Sequence, residues 1–194
     1  MGKQIHLGNV ERLFDASPVV DFKSIERIVG TGKRSSYAKL LVHTLLQRGK
    51  IYTIGKGSYT KHPELSLAVF SFTPSYLGLQ SALSQYGIWE QETIPVILTI
   101  RRVRRGIRSL MGSNVLLRTI DKRYFFGVEY RQEGAFYLPY SDVEKTCIDM
   151  VVFNQRMDTE TIQRMRKMID MQRLKTYLKR YPLILRKRVL RLVQ

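Results

Sequence analysis

Apolar residues recur at helical spacing in three stretches of the first fifty residues. Val10, Leu13 and Phe14 share one side of a segment over 8–14. Phe22, Ile25, Ile28 and Val29 do so over 23–29, after the lead-in Val19-Val20-Asp21. Tyr37, Ala38, Leu41 and Leu45, with Leu40 at the margin, repeat over 35–48. Gly30-Thr31-Gly32 breaks the second from the third, and Gly49 stops the third as a C-cap residue. The period then changes: residues 50–54 and 58–60 read as strands around Gly55-Lys56-Gly57, a tight turn with a lysine at its tip. Helix, helix, turn, helix and hairpin is the order of a winged helix-turn-helix, whose third helix enters the major groove while the hairpin lies along the adjacent backbone or minor groove.

Beyond His62 the pattern is mixed. Pro63 opens a helix with Leu65, Leu67, Ala68 and Phe70 apolar. A second helix is expected over 76–86, with Tyr76, Leu79, Leu83 and Tyr86 as its stripe and Gly87 as its stop. Strands are expected over 94–100, 115–120, 124–130 and 135–138. Ser141-Asp142-Val143-Glu144 reads as a capping box that starts a helix over 141–152, with Val143, Thr146, Cys147, Met150 and Val151 inward. Asp158 starts a further helix with Ile162, Met165, Met168 and Ile169 at core spacing, and Leu174, Tyr177, Leu178 and Tyr181 continue it or a successor as far as Pro182. A last helix over 183–193 carries Leu185, Val189 and Leu192 on one face. The expected fold is α+β: a winged helix-turn-helix over 1–62, then an α+β domain over 63–194 with a small sheet and a helical tail.

The composition of 194 residues, 44% hydrophobic and 25% charged, is that of a globular chain. Residues 65–89 carry no charge, long enough to cross a bilayer. Pro74, Gln80, Gln85 and several hydroxyls would cost about 1–3 kcal/mol each if stripped of water without partners, so the segment reads as buried helix and no membrane is expected. Residues 1–14 have no continuous apolar core, so no secretory signal is expected there, and the single cysteine fits a cytoplasmic protein without an internal disulfide.

Charge changes the picture most. Thirty-three Lys and Arg face 16 Asp and Glu, a net +17, and a surplus of that size points to a polyanion. It is concentrated before His62, in Arg101-Arg102-Val103-Arg104-Arg105-Gly106-Ile107-Arg108, and after Thr159. Lys33, Arg34, Ser35, Ser36, Lys39 and His43 line the polar side of the third helix and the turn before it. Cations and hydroxyls of that kind contact phosphates and base edges. Lys56 on the wing tip would touch backbone, and Arg101, Arg102, Arg104 and Arg105 form either a second phosphate contact or a solvated loop. Small helix–hairpin units also serve as protein-interaction modules, but the basic turn and the lysine on the tip favour double-stranded DNA.

Catalysis finds little support. Gly32-Lys33 resembles a phosphate-binding loop, but Arg27 and Arg34 stand where Gly and Ser or Thr are required. His6, His43 and His62 are scattered, so neither metal nor cofactor is expected, and Cys147 belongs to a buried face where cysteines are inert. Asp142, Glu144 and Lys145 are the residue types of a magnesium-dependent nuclease. Yet Glu144 and Lys145 are adjacent on a helix, point in different directions, and the capping box accounts for Glu144. No catalytic residue is assigned.

The chain resembles the AbiEi family, the antitoxin and autorepressor half of abortive-infection type IV toxin–antitoxin systems. The resemblance is carried by residues 49–59 of the wing, by Pro74-Ser75-Tyr76-Leu77-Gly78-Leu79-Gln80-Ser81-Ala82-Leu83 with Tyr86-Gly87-Ile88, and by Glu144-Lys145-Thr146-Cys147-Ile148-Asp149. It implies a winged helix that binds inverted repeats in its own promoter, as a dimer or as a cooperative pair. It also implies a C-terminal domain that assists DNA binding and counters a nucleotidyltransferase-like toxin without a stable complex. Some members of that family are stand-alone transcription factors. For the Glu144–Lys145–Asp149 block the resemblance implies a structural role alone.

Overall fold

In the computed structural model, which describes residues 2–30 and 35–194, helix α1 (Gly2–Ala16) leads into a two-residue strand β1 (Val20–Asp21) and helix α2 (Phe22–Val29). Helix α3 (Ser35–Gln47) comes next, then the strands β2 (Tyr52–Gly55) and β3 (Ser58–Thr60). The lead-in to α2 is thus a strand: Val20 and Asp21 pair antiparallel with Tyr59 and Ser58, and the sheet order is β1-β3-β2. Asp21 ends that strand and caps α2, its carboxylate accepting the Ser24 N–H at 2.6 Å. Apolar spacing explains α3, since Ala38, Leu41, Val42 and Leu45 are buried at i, i+3, i+4 and i+7 against Val10, Phe14, Ile25 and Val29. Leu40, at the margin of that stripe, is instead 56% exposed. Gly49 closes α3 at φ +62 with Lys50 N–H on the Leu45 carbonyl and Gly49 N–H on Leu46, a Schellman pattern in which a side chain would be strained.

The chain folds as two compact units. One runs through Phe72 and includes Ser109–Asn114; the other comprises Thr73–Arg108 and Val115–Gln194. The first unit extends beyond His62 because a 3-10 helix, Leu65–Phe72, packs on β2, with Leu67, Ala68 and Val69 buried.

The two helices expected over 63–86 are corrected on both counts. The first is that 3-10 helix, and the second gives way to strand β4 (Ser75–Leu77) and a short helix α4 (Gln80–Gln85). β4 is an inner strand, antiparallel to β5 (Val96–Thr99) and parallel to β9 (Phe136–Ser141), so Tyr76 and Leu77 are buried on opposite faces. The second sheet holds six strands in the order β6-β7-β5-β4-β9-β8, adding β6 (Gly106–Leu110), β7 (Ser113–Thr119) and β8 (Val128–Glu133). The strand expected over 124–130 begins only at Val128, because Asp121 caps a 3-10 turn over Lys122–Tyr124.

Four helices follow: α5 (Val143–Val152), which lies against β9, and α6 (Thr159–Met168), α7 (Met171–Leu178) and α8 (Leu183–Val193) around it. α5 is the axis, buried from Val143 to Met150 and packed against α4, α6, α7 and α8. The fold is α+β, as expected, and Tyr76, Leu83, Leu98, Cys147, Ile148, Met165, Leu174 and Val189 share the core of the second unit. The expected capping box is not formed. Asp142 caps α5 by accepting the Lys145 N–H at 2.7 Å, Ser141 pairs its hydroxyl with Thr146, and Glu144 accepts the Asp170 N–H at 2.7 Å.

Candidate nucleic-acid interface

The burial that fixes α3 also decides what it presents. With Ala38, Leu41, Val42 and Leu45 inward, Ser36, Lys39, Leu40, His43 and Gln47 are left exposed at i, i+3, i+4, i+7 and i+11 of one side, with Ser35 half-buried. This is the stripe expected from sequence, plus Leu40 and Gln47. Leu40 was hidden from sequence reasoning because a leucine at helical spacing reads as core. On a helix that reads a groove, an exposed apolar side chain is a natural partner for a thymine methyl group, and Gln is a bidentate partner for adenine. Lys33 and Arg34, the remaining residues expected on this side, lie outside the described residues.

The wing is built by a few specific contacts. Phe22 N–H donates to the Gly57 carbonyl at 2.8 Å, tying the turn to the start of α2. The Thr60 hydroxyl donates to the Pro18 carbonyl at 2.6 Å, and Lys61 pairs with Asp15 on α1. Lys56 sits at the exposed tip between β2 and β3, with Tyr52 and Thr53 exposed on the strand leading to it. Ser35, Ser36, Lys39, His43 and Lys56 therefore all belong to the first unit, on the third helix and the hairpin turn.

Arg101, Arg102, Arg104 and Arg105 belong to the second unit. All four are exposed in the connection from β5 to β6, while Arg108, the last basic residue of the run, lies within β6 and donates back to the Arg104 carbonyl at 3.1 Å.

The Glu144–Lys145–Asp149 block sits within a buried polar network. Lys145 and Asp149 form an ion pair with both side chains fully buried, and the Tyr76 hydroxyl donates to Asp149 at 2.7 Å. The Tyr177 hydroxyl donates to Asp142 at 2.7 Å. Burial pushes the Asp149 carboxyl up and the Lys145 ammonium down, while their contact favours the charged pair. Lys145 also lies about 5.5 Å from the centres of the Tyr76 and Phe126 rings, so aromatic faces replace part of its lost water. Each carboxylate is engaged inside the protein, and Cys147 is buried with its thiol pushed up to about 12. Among the described residues, no three His, Cys, Asp or Glu side chains gather as a metal-binding set, and no helix is long and apolar enough to cross a membrane.

The element order α1-β1-α2-α3-β2-β3 with its β1-β3-β2 sheet is that of a winged helix, joined here to a mixed-sheet α+β unit. No protein-family profile matches the sequence, and no curated protein matches it significantly. Among solved structures, the RV2827C protein from Mycobacterium tuberculosis is similar, with a TM-score of 0.62 at 14% sequence identity over 96% of this chain and 74% of that one. At that identity the likeness is one of fold.

Proposed function

We propose that this protein is a sequence-specific DNA-binding transcriptional repressor of its own operon, acting in the cytoplasm as the antitoxin of a type IV toxin–antitoxin pair. The observation that carries the DNA reading is the exposed Ser36–Lys39–Leu40–His43–Gln47 side of α3 beside a wing tipped by Lys56, in a chain of net charge +17. Side chains on α3 read base edges while Lys56 holds the phosphate backbone. Ser35 contributes from the first turn of α3, and in this reading Lys33 and Arg34 add contacts to phosphates and base edges. Arg101, Arg102, Arg104 and Arg105 add positive field from the second unit. Two copies, as a dimer or a cooperative pair, occupy an inverted repeat. The antitoxin role rests on the resemblance of the wing, the 74–88 block and the 144–149 block to the AbiEi family, and its target is a nucleotidyltransferase-like toxin countered without a stable complex.

The test is fluorescence anisotropy on the gene's own upstream DNA against a scrambled duplex, at several salt concentrations. A specific repressor prefers the upstream duplex by about a thousandfold or more at physiological salt. Equal loss of both duplexes, with a log–log slope of about −0.9 per neutralised phosphate, is the behaviour of a backbone-only binder and would overturn the repressor reading. The antitoxin role is tested by co-expression with a nucleotidyltransferase-like protein encoded alongside. Restored growth supports it, and continued arrest leaves a stand-alone transcription factor.

A further inference from the structure

Strands β5 and β7 run parallel in register from Val96 opposite Leu116 to Thr99 opposite Thr119, so their carboxyl ends leave the sheet together. The chain leaving β5 must reach β6, which lies on the far side of β7 in the sheet order, so residues 101–105 cross the end of β7. Between that crossing and the exit of β7 is a cleft of about 430 Å³, with Arg101, Arg102, Arg105 and Thr119 on its walls and Ile100 and Ile120 as apolar surface. The volume is that of a small-molecule site, and the carboxyl ends of parallel strands are where open sheets place them.

We infer that this cleft is a binding site for a phosphate ester. Two independent features ask for an anion. Arg102 and Arg105 form no hydrogen bond or ion pair among the described residues, and the one carboxylate on the wall, Asp121, is engaged by Arg123, accepting its backbone N–H at 3.0 Å and facing its guanidinium at 3.4 Å. The cleft thus carries uncompensated positive charge. The Thr119 hydroxyl, in turn, is buried with no hydrogen-bond partner among the described residues. A buried polar group left in that state is destabilising, because it has given up water without a replacement partner. A phosphoryl group answers the arginines, since its oxygens accept from planar guanidinium forks, and a turn of the Thr119 side chain, which lines the cleft, would bring its hydroxyl to the same oxygens. Ile100 and Ile120 beside the arginines suit the carbon skeleton of a nucleotide-like ester better than inorganic phosphate alone. The inference stands apart from the winged-helix reading, because no residue of α3 or the wing lines the cleft.

The same chemistry is available from a free phosphate ester and from the DNA backbone, and the experiment separates them. Adenosine monophosphate and pyrophosphate are titrated into the full chain by calorimetry, for wild type, Thr119→Val and Arg102→Gln/Arg105→Gln, with the scrambled duplex as a parallel titrant. Thr119→Val changes no charge, so a built site loses several-fold in affinity for adenosine monophosphate in that variant and tenfold or more in the double arginine variant. A duplex salt slope unchanged in the arginine variant assigns the cleft to the free ester. A slope shallower by about 0.9 for each phosphate no longer neutralised assigns it to DNA backbone. Equal binding of the small anions by wild type and Thr119→Val, or no binding by any of the three proteins, overturns the site. Neither result touches specific recognition of the upstream duplex, which is read on α3.

Discussion

Two kinds of residue on the first unit are expected to behave differently. In the proposed function Lys56 meets phosphate, which is the same on every sequence. Lys56→Ala should therefore weaken binding to all duplexes alike and make the salt slope shallower by about 0.9. Ser36, Lys39 and Leu40 lie on the exposed side of α3, which in the proposed function faces bases. Ser36→Ala, Lys39→Ala or Leu40→Ala should lower the preference for the upstream duplex over the scrambled one by about 1–3 kcal/mol where the side chain meets a base edge squarely. Uniform losses from the α3 substitutions would show that α3 is not the reading element. A second residue-scale prediction concerns Asp21. The Ser24 backbone N–H bond holds its carboxyl below the usual range. A carboxyl with a lowered folded-state pKa stabilises above the unfolded value of about 3.9 and loses that contribution as pH falls through the lower folded value. Asn also caps helices but does not titrate. The urea midpoint of wild type should therefore approach, from above, that of Asp21→Asn as pH is lowered from 6 toward 2. A constant difference across that range would mean that the cap contributes no pH dependence.

Among the elements, the axis helix α5 shows how narrowly the buried network is fitted. Gly127 has φ +62, and a Cβ there would lie 2.9 Å from Lys145 Cβ, 3.1 Å from Asp142 Oδ2 and 3.1 Å from a Tyr177 ring carbon. Gly127→Ala should cost about 1–2 kcal/mol from backbone conformation alone, with more from displacing the Tyr177–Asp142 bond, read as a lower urea midpoint. Lys145→Met leaves Asp149 charged and buried with Tyr76 as its remaining donor, and should cost about 3–5 kcal/mol. A cost near zero would mean that Asp149 takes up a proton with little penalty. Of these elements, α3 and α6 to α8 were legible in the sequence because each buries one face at 3.6-residue spacing, whereas α5 was legible as a helix but not as one buried all round, Glu144, Lys145 and Asp149 included. β4 was not, because an inner strand buried on both faces has no alternation to separate it from helix. β6 was not, because its pattern is inverted: Ile107 is 66% exposed while Arg108 is half-buried. The capping box misled because Ser141 and Asp142 are adjacent candidates. Once Asp142 took the cap, Glu144 stood one position too early to complete it and turned to Asp170 instead. The α3 and wing residues were legible from charge and periodicity, whereas the cleft beside Arg102 and Arg105 depends on a strand crossing that no local pattern encodes.

At the scale of the whole molecule, the charge surplus should set two salt responses of opposite sign. With 33 basic side chains against 16 acidic, like-charge pairs outnumber attractive ones. The exposed ion pairs, such as Arg164 with Glu90 and Glu160, are of the kind that contribute little. Self-repulsion of a strongly basic chain opposes its compact state, and salt screens it over a Debye length of about 10 Å at 0.1 M. Raising sodium chloride from about 50 to 500 mM should therefore raise the urea midpoint of the free protein with its m-value unchanged, the mark of altered stability rather than altered exposed surface. Over the same range, affinity for duplex DNA should fall, since each neutralised phosphate returns its counterion to a more concentrated solution. A midpoint that falls with salt would mean that the ion pairs outweigh the repulsion. A midpoint that rises while duplex affinity stays flat would place the basic surplus in folding alone, and remove the polyanion argument on which the DNA reading partly stands.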